Sequence, residues 1–449
     1  MVNSENSNQL KPPKSRAARC LRRTVACAGW LLPAVALGCQ AISNAKATGG
    51  VSVDASAGCP AGVAAVLGDS SYSSSQVALL SLSGNVLSES FISTASTRTD
   101  GLAFALSGDV VLPTNAPASG RVVILDRYGT NVVTWIDTTT AQVQAQLQVG
   151  TGFESNPQDY FEVANGRALV SRWGVNDDPG VQPFDAGSDV LVVGDQGDGM
   201  ATVGIESRVA IPLEGNLPPR PTSFTSIGNS IAVVLQRYSE DFATVGDAQV
   251  VRLDLSSLQI VQTLSLSGVS NCGRLMPVPG TSNYAIACTG PLNFNGSSTD
   301  LSHSALVLLE LDRQGDLTEQ SRWLAADIAQ EPLQHDVDFA NEHIALVKTQ
   351  TGLQGTTNNR LLAVNLDDNS ITELAQARQS ADGTGKGAMF GTVVCSPNCS
   401  SLCLMADSDQ AVVRRFDFSA GSPVELAPVT ITPNVPLYPR QLAYFGGAQ

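Results

Sequence analysis

A pattern of short apolar strands and turn-forming residues recurs six times along the chain and constrains the fold more than any other sequence feature. Each unit contains a hairpin, a variable loop, a strand ending near an aspartate and a last strand of alternating apolar residues. When the first strands are aligned on one position, successive units are 57, 63, 52, 63 and 54 residues apart. The aligned positions are Phe104, Phe161, Phe224, Met276, Phe339 and Val393. Repeats of this length with hairpin signals are typical of sheets arranged around an axis.

A seventh unit is divided between the two ends of the sequence. Residues 62–93 supply three strands without an innermost one, and residues 441–447 supply an innermost strand without followers. A β-propeller closes its ring by joining such ends and leaves only short, protected edges. We therefore predict an all-β fold, a seven-bladed β-propeller with closure between the N- and C-terminal strands. Residues 101–149 hold one strand candidate too many, because residues 120–129 also read as a strand.

The first 38 residues have the composition of an export signal. Six basic residues precede the apolar run 24–38, which is too short for a comfortable membrane span. The sequence "ALGC" ending at Cys39 resembles a bacterial lipoprotein signal, which implies cleavage before Cys39 and a lipid on its thiol. By the same analogy Gln40 implies transfer to an outer membrane. A plain secretory signal and an uncleaved anchor are the alternatives.

The resulting domain organisation has three parts. Residues 1–38 are predicted to be a lipoprotein signal peptide, residues 39–58 a flexible tether rich in small and polar residues, and residues 59–449 a single propeller. We expect an extracytoplasmic, lipid-anchored protein whose contact with the membrane is made through the lipid.

Six cysteines remain after Cys39 and the two in the signal are set aside. An even number in an exported protein favours disulfides. Cys272 and Cys288 are equidistant from a turn at residue 280, and Cys395 and Cys403 are equidistant from residue 399, so each pair faces across a hairpin. Cys399 is then left with Cys59, a pairing that requires the two ends of the chain to meet. Zinc binding and redox catalysis fit the spacing less well, because neither a finger pattern nor a C-x-x-C motif is present.

The chain is acidic, with a formal net charge of −15 that becomes −20 when the six bases and one acid of residues 1–38 are removed. This sign argues against nucleic acid as a partner and favours basic partners or cations. Asp177, Asp178, Asp185 and Asp189 lie in or beside one loop and carry the hard oxygen ligands that calcium takes. Their spacing matches no EF-hand, and a solvated acidic loop is the alternative. We predict no cofactor, with calcium as the one candidate ion.

Residues 120–150 and 249–268 resemble the YVTN-type repeat of bacterial surface-layer and lactonase-like propellers, and the other units do so more weakly. The shared features are a strand ending in Asp, a Thr-rich turn and a Val-alternating strand ending in Val-Gly. The resemblance implies the propeller fold. It does not fix a function, because propellers of this type include enzymes, adhesins and scaffolds.

Propellers usually bind at the face formed by loops from second to third strands and between blades, and those loops are long here. Five basic residues precede or open innermost strands and would form a positive channel mouth for a small anionic ligand. They are Arg220, Arg274, His335, Lys386 and Arg440. The alternative is that each base hydrogen-bonds carbonyl groups of a neighbouring blade.

Three histidines leave few catalytic options. His303 and His335, with Asp336 beside the latter, could serve a lyase- or lactonase-like site as general base and its partner. We expect Asp336 and Asp338 to raise the pKa of His335. Our first hypothesis is nevertheless a binding or scaffold module at the cell envelope, with an envelope protein or a small anionic ligand as partner, and the enzyme is the alternative.

Overall fold

The computed structural model describes residues 50–51, 58–69, 71–163, 166–195, 202–291, 301–350, 359–377, 390–432 and 437–446. Within these ranges the strands form seven four-stranded antiparallel sheets in a ring. The predicted seven-bladed β-propeller is therefore confirmed. The predicted signal peptide, Cys39 and Lys386 lie outside the described residues.

The blades follow one another along the chain, and blade 1 uses both ends of it. Blade 1 contains β1 (Gly62–Gly68), β2 (Ser75–Leu80), β3 (Val86–Ser93) and the last strand, β28 (Tyr438–Phe445). Blade 2 contains β4 (Val110–Val111), β5 (Val122–Asp126), β6 (Val132–Ile136) and β7 (Val143–Gln148). Blade 3 contains β8 (Pro157–Val163), β9 (Arg167–Val175), β10 (Gly187–Asp195) and β11 (Val203–Val209). Blade 4 contains β12 (Pro221–Ile227), β13 (Ser230–Leu235), β14 (Ala248–Asp254) and β15 (Ile260–Leu266).

The remaining three blades have the same order from the axis outward. Blade 5 contains β16 (Cys272–Pro277), β17 (Asn283–Cys288), β18 (Ala305–Leu311) and β19 (Leu317–Leu324), followed by the one-turn helix α1 (Ala325–Ile328). Blade 6 contains β20 (Leu333–Phe339), β21 (Ile344–Thr349), β22 (Arg360–Asn365) and β23 (Ile371–Gln376). Blade 7 contains β24 (Phe390–Cys395), β25 (Leu402–Asp407), β26 (Val412–Asp417) and β27 (Val424–Val429).

The ring closes where the sequence predicted. Strand β28 is the innermost strand of blade 1 and pairs antiparallel with β1, from Gly62 opposite Phe445 to Gly68 opposite Tyr438. The structure also forms the three predicted disulfides, which are Cys59–Cys399, Cys272–Cys288 and Cys395–Cys403. The first of these joins the segment before β1 to the turn after β24, and so links blade 1 to blade 7.

Seven hydrophobic clusters fill the interfaces between neighbouring blades, one cluster for each interface. The middle strands of a blade contact both neighbours, which is why they read as nearly continuous apolar runs. Every residue of β5, β6 and β13 is buried, for example. Outermost strands alternate instead, as β15 does, because one of their faces meets solvent.

Blade 2 corrects one sequence alignment. Phe104 was placed in an innermost strand, but it lies outside any strand and is 38% exposed. The backbone N–H groups of Ala103 and Phe104 donate to Oε1 of Gln146, on the outermost strand of the blade. The innermost strand is the two-residue β4, and residues 122–126 form the second strand. This assignment explains the extra strand candidate in residues 101–149. The true innermost strand has only two residues and is too short to show a sequence pattern.

The propeller has two faces, which we name by their connections. The loop face carries the connections from second to third strands and those between blades, and the hairpin face carries the two other kinds. The segment 115–120 connects β4 to β5 and therefore lies on the hairpin face. The chain enters on the hairpin face too, where the N–H of Val51 donates to the carbonyl of Thr138. Among the described residues no helix is long and apolar enough to cross a membrane.

Candidate functional site

Side chains of the innermost strands bridge every blade interface around the axis. The seven contacts, in order around the ring, are Gln441 with the backbone of Leu112, Asp159 with the N–H of Thr114, Asp159 with the N–H of Phe224, Ser223 with the carbonyl of Gly273, Arg274 with Asp336, Asp338 with the N–H of Cys395, and Thr392 with the carbonyl of Leu442. These contacts tie each innermost strand to the next. The axis is therefore a polar layer built into the ring rather than a free surface.

Two aspartates in this layer accept hydrogen bonds from backbone groups of two blades. Asp159 accepts from Thr114, Tyr160 and Phe224 at 2.7–2.8 Å, and burial raises its pKa to about 6 against these donors. Burial likewise raises the pKa of Asp338 to about 7, although the N–H groups of Phe339 and Cys395 stabilise its charged form. Both carboxyl groups therefore titrate in the neutral to mildly acidic range.

A third aspartate of the layer behaves in the opposite way because two cations hold it. Asp336 accepts from Nζ of Lys348 at 2.8 Å and from Nη1 of Arg274 at 3.1 Å. Burial opposes its charge, but the attraction of Lys348 and Arg274 outweighs that effect and lowers the pKa of Asp336 to about 2. A carboxylate held in this way is a poor general base at neutral pH. Asp336 therefore acts here as the counter-ion of Lys348 and Arg274.

His335 marks the loop-face end of the channel, which we call the channel mouth. It lies on the innermost strand β20 between buried residues, yet its own side chain is exposed. Enclosure by the ring lowers the pKa of His335, and the cations Lys348, Arg274 and Arg127 lower it further against the effect of Asp336. Asp336 does act to raise this pKa, as expected, but burial and the three cations outweigh it, so the net rise that we expected is wrong. The imidazole is thus neutral at pH 7.

His303 has different surroundings from His335. Its Nδ1 lies 2.9 Å from the carbonyl oxygen of Gly268, in the connection between blades 4 and 5. His335 instead lies on the innermost strand of blade 6. Within the described part of the chain the two imidazoles are not hydrogen-bonded to each other, and they belong to different blades.

Two of the predicted channel-mouth bases support aromatic side chains on the loop face. Arg220 is buried, donates to the carbonyls of Trp173, Tyr238 and Ser239, and stacks with its guanidinium 3.9 Å from the Trp173 ring centroid. Trp173 in turn stacks on Phe242, with ring centroids 5.5 Å apart. The alternative of carbonyl binding between blades therefore holds for Arg220.

Arg440 has an equivalent role at the junction of blades 1 and 2. Its guanidinium lies 4.1 Å from the ring centroid of Tyr72 and donates to the carbonyl of Gly108. Of the four described bases, only Arg274 and His335 thus belong to the channel mouth, and Arg274 is paired with Asp336. The predicted positive funnel is reduced to these two residues and the neighbouring Lys348 and Arg127.

Large exposed hydrophobic side chains are distributed unevenly over the described surface. Six belong to the loop face, and they are Tyr72, Tyr128, Val181, Leu213, Phe242 and Tyr438. Five lie on or beside the outer strands, and they are Leu87, Phe104, Val261, Ile371 and Val424. The described connections of the hairpin face carry none. Aromatic residues held in place by arginine are typical of recognition surfaces, since they bury large areas at a low cost in entropy.

Two aspartates of the predicted calcium loop already have other hydrogen-bond or ion-pair partners. Asp185 accepts from the N–H groups of Gly180, Val181 and Gln182, and these bonds lower its pKa. Asp189 is buried and forms ion pairs with Arg172 and Arg208. Asp177 and Asp178 remain beside this loop, and within the described ranges no group of three or more His, Cys, Asp or Glu residues could hold a metal ion.

Sequence reasoning missed the loop-face aromatics and the bridging residues Asp159 and Gln441. The sequence did carry a signal for Asp159, because this aspartate lies two residues before the buried Phe161 in the same strand. Gln441 gave none, because its partner Leu112 is 329 residues away.

No protein-family model and no curated protein sequence matches this chain. Similar solved structures include a hypothetical selenium-binding protein of Sulfolobus tokodaii, 9% identical, with a TM-score of 0.55 over 89% of this chain and 96% of the other. A candidate 6-phosphogluconolactonase of Bacteroides fragilis is 11% identical, with a TM-score of 0.52 over 85% and 98% of the two chains. Its counterpart from Bacteroides uniformis is also 11% identical, with a TM-score of 0.50 over 85% and 99%. At these identities the likeness shows that the chain shares their fold, and nothing about its activity.

Proposed function

We propose that this protein is a lipid-anchored, extracytoplasmic β-propeller that acts as a binding or scaffold module at the cell envelope, with the loop face as its binding surface. The observation that carries the proposal is the concentration of exposed aromatic and apolar side chains on that face. Arginines rooted in the blades hold Tyr72, Trp173 and Phe242 in place. A surface organised before binding loses less entropy when a partner docks.

The face at which the N-terminal segment joins the propeller supports an orientation of the propeller relative to the membrane. Val51 contacts Thr138 on the hairpin face, and Cys59 is bonded to Cys399 on the same face. If Cys39 carries a lipid, the eleven residues from there to Gly50 span at most about 40 Å when fully extended. The membrane would then lie on the side of the hairpin face. The loop face would point away from the lipid, where a partner can reach it.

An envelope protein with a basic surface is the partner class that the charge favours. The chain is acidic overall, and acidic side chains outnumber basic ones in the described loop-face connections. This balance disfavours nucleic acid and gives salt-dependent attraction to a basic partner. A small anionic ligand is supported at one point only, the channel mouth, where the positive charges of Lys348, Arg274 and Arg127 act on His335.

An enzyme of the lactonase or lyase kind is the alternative. It would use His335 as a general base, since this imidazole is exposed and has a lowered pKa. Two observations argue against the enzyme. Asp336 is already hydrogen-bonded to Arg274 and Lys348, and His303 contacts the connection between blades 4 and 5 instead of His335. Hydrolysis of a δ-lactone by the purified protein, lost on His335→Ala, would favour the enzyme over the binding module.

Site-specific photocrosslinking in intact envelopes tests the binding surface. A photoreactive amino acid replaces Tyr128, which is 73% exposed on the loop face, or Asp368 on the hairpin face. We expect a discrete crosslinked product from position 128 and none from position 368. Crosslinks from 368 alone would contradict the proposed surface.

The anchor is tested separately by fractionation. Cys39→Ala should abolish incorporation of a labelled fatty acid and remove the protein from the outer-membrane fraction. A variant that still incorporates the fatty acid would contradict lipid anchoring at Cys39.

A further inference from the structure

A groove separates the outer strands of blades 6 and 7. Its volume is about 770 Å³, and its walls are β23 on one side and β27 on the other, with the ends of β25 and β26 between them. The interface is open here because blade 6 presents small side chains to it, namely Ala363, Ala375 and Ala377.

A buried carboxylate with an unused oxygen lines this groove. Asp407 is 1% exposed, and its Oδ1 accepts from the N–H groups of Asp409 and Gln410, which fixes the turn after β25. Its Oδ2 is buried and has no hydrogen-bond partner among the described residues. A buried acceptor without a donor costs stability, and native proteins rarely leave one so.

The nearest cation does not satisfy this oxygen. Nη1 of Arg414 lies 3.7 Å from Oδ2 of Asp407, which is too far for a hydrogen bond. Arg414 is held away because its Nε and Nη2 donate to the two carboxylate oxygens of Glu425 at 2.7 and 2.8 Å. The guanidinium is thus hydrogen-bonded to β27, and Oδ2 of Asp407 lacks a hydrogen-bond donor among the described residues.

The charge of the lining indicates which kind of donor is missing. Glu373, Asp407 and Glu425 line the groove against one base, Arg414. The negative side chains exceed the positive one even though Glu373 has a distant partner in Arg360 at 3.6 Å. A primary ammonium group fits this lining because it brings a positive charge and three donors with no acceptor.

We propose that the groove between blades 6 and 7 binds an extended segment bearing a primary ammonium group, such as a lysine side chain, with Oδ2 of Asp407 as the acceptor. The backbone of the segment lies between β23 and β27, against Leu374, Val412 and Pro428. Burial raises the pKa of Asp407 in the free protein, and a bound ammonium counteracts that rise. This site lies at the loop-face end of blades 6 and 7, because Gln410 belongs to the connection between β25 and β26. Its test uses the purified protein and synthetic peptides, and so does not depend on the proposed function.

Titration calorimetry with two peptides tests the site. The probes are acetyl-Ala-Ala-Lys-Ala-Ala-amide and the same peptide with norleucine, which keeps the chain length and removes the ammonium. We expect the lysine peptide to bind and the norleucine peptide to bind roughly tenfold more weakly or worse, the usual effect of losing a charge-assisted hydrogen bond. Equal binding of the two peptides, or no binding of either, would overturn the proposal.

Two substitutions locate the binding. Asp407→Asn keeps the Oδ1 acceptor that fixes the turn and replaces Oδ2 by an amide donor, and it should weaken the lysine peptide by roughly tenfold or more. Asp409→Asn removes the same charge two residues away, outside the groove lining, and should leave the affinity unchanged. If Asp407→Asn fails to fold, Gln376→Trp decides instead by filling the groove from its exposed wall. Wild-type affinity in folded Asp407→Asn or in folded Gln376→Trp would refute the assignment. A loss of affinity in Asp409→Asn equal to that in Asp407→Asn would also refute it.

Discussion

Removal of the disulfide between Cys59 and Cys399 should destabilise the protein more than removal of any other bridge. The two cysteines are 340 residues apart, against 8 for Cys395 and Cys403. The chain-entropy relation gives about 6 kcal/mol for the long loop and about 2.5 kcal/mol for the short one at 25 °C. Since measured bridges seldom exceed about 5 kcal/mol, we expect a loss of 4–5 kcal/mol for Cys59→Ala/Cys399→Ala. Cys59 and Cys399 are both half-buried, so the substitutions remove few native contacts.

Urea unfolding without reductant, followed by fluorescence and checked for reversibility, gives the free energy of unfolding of this variant and of the wild type. Free energies rather than midpoints must be compared, because loss of a cross-link expands the unfolded chain and raises the slope m. Cys395→Ala/Cys403→Ala is the matched short-loop variant, although its buried positions add a cavity cost. A loss below about 1 kcal/mol for the long-loop variant would refute the entropic reasoning.

Three further outcomes are expected. Reduction of the mature protein should raise its intact mass by about 6 Da, two hydrogens for each of three bridges; a smaller rise, measured by mass spectrometry, would show a free thiol pair. The raised pKa values of Asp159 and Asp338 give stability that is fully present below about pH 4 and lost as the pH rises towards 6 and 7. In Asp338→Asn the free energy of unfolding should therefore fall less between pH 4 and pH 8, by on the order of 4 kcal/mol. An unchanged slope of this free energy against pH would contradict the assignment. Arg220→Leu should reduce the near-ultraviolet circular dichroism of Trp173 and destabilise the protein by about 3 kcal/mol, since it removes three hydrogen bonds from the buried guanidinium; a native spectrum with native stability would count against the anchoring role.

The ring could be predicted from the sequence because each blade repeats the same turn and strand signals, and because the split seventh unit leaves one solution. The same logic paired the cysteines, since equal distances from a turn place residues opposite one another in a hairpin. It failed in blade 2, where β4 has two residues and the more apolar segment around Phe104 lies beside the outermost strand. A pattern cannot identify a strand too short to contain one.

The site was less predictable than the fold. The basic residues before innermost strands were a real pattern, but their roles depend on which neighbour each meets. Arg274 meets Asp336, whereas Arg220 and Arg440 meet carbonyls and aromatic rings. Such partners lie tens to hundreds of residues away and often in another blade, so their identity follows only from the assembled ring. The orphaned oxygen of Asp407 is likewise a product of the gap between two blades and has no local signature.

The connection between β4 and β5 has a consequence for how any small solute would use the axis. The side chain of Asn115 donates to the carbonyl of Phe224, which belongs to a strand two blades further round the ring. This connection therefore reaches inward past blade 3 to the innermost strand of blade 4. A solute that entered beside His335 would have to pass this connection to reach the hairpin face.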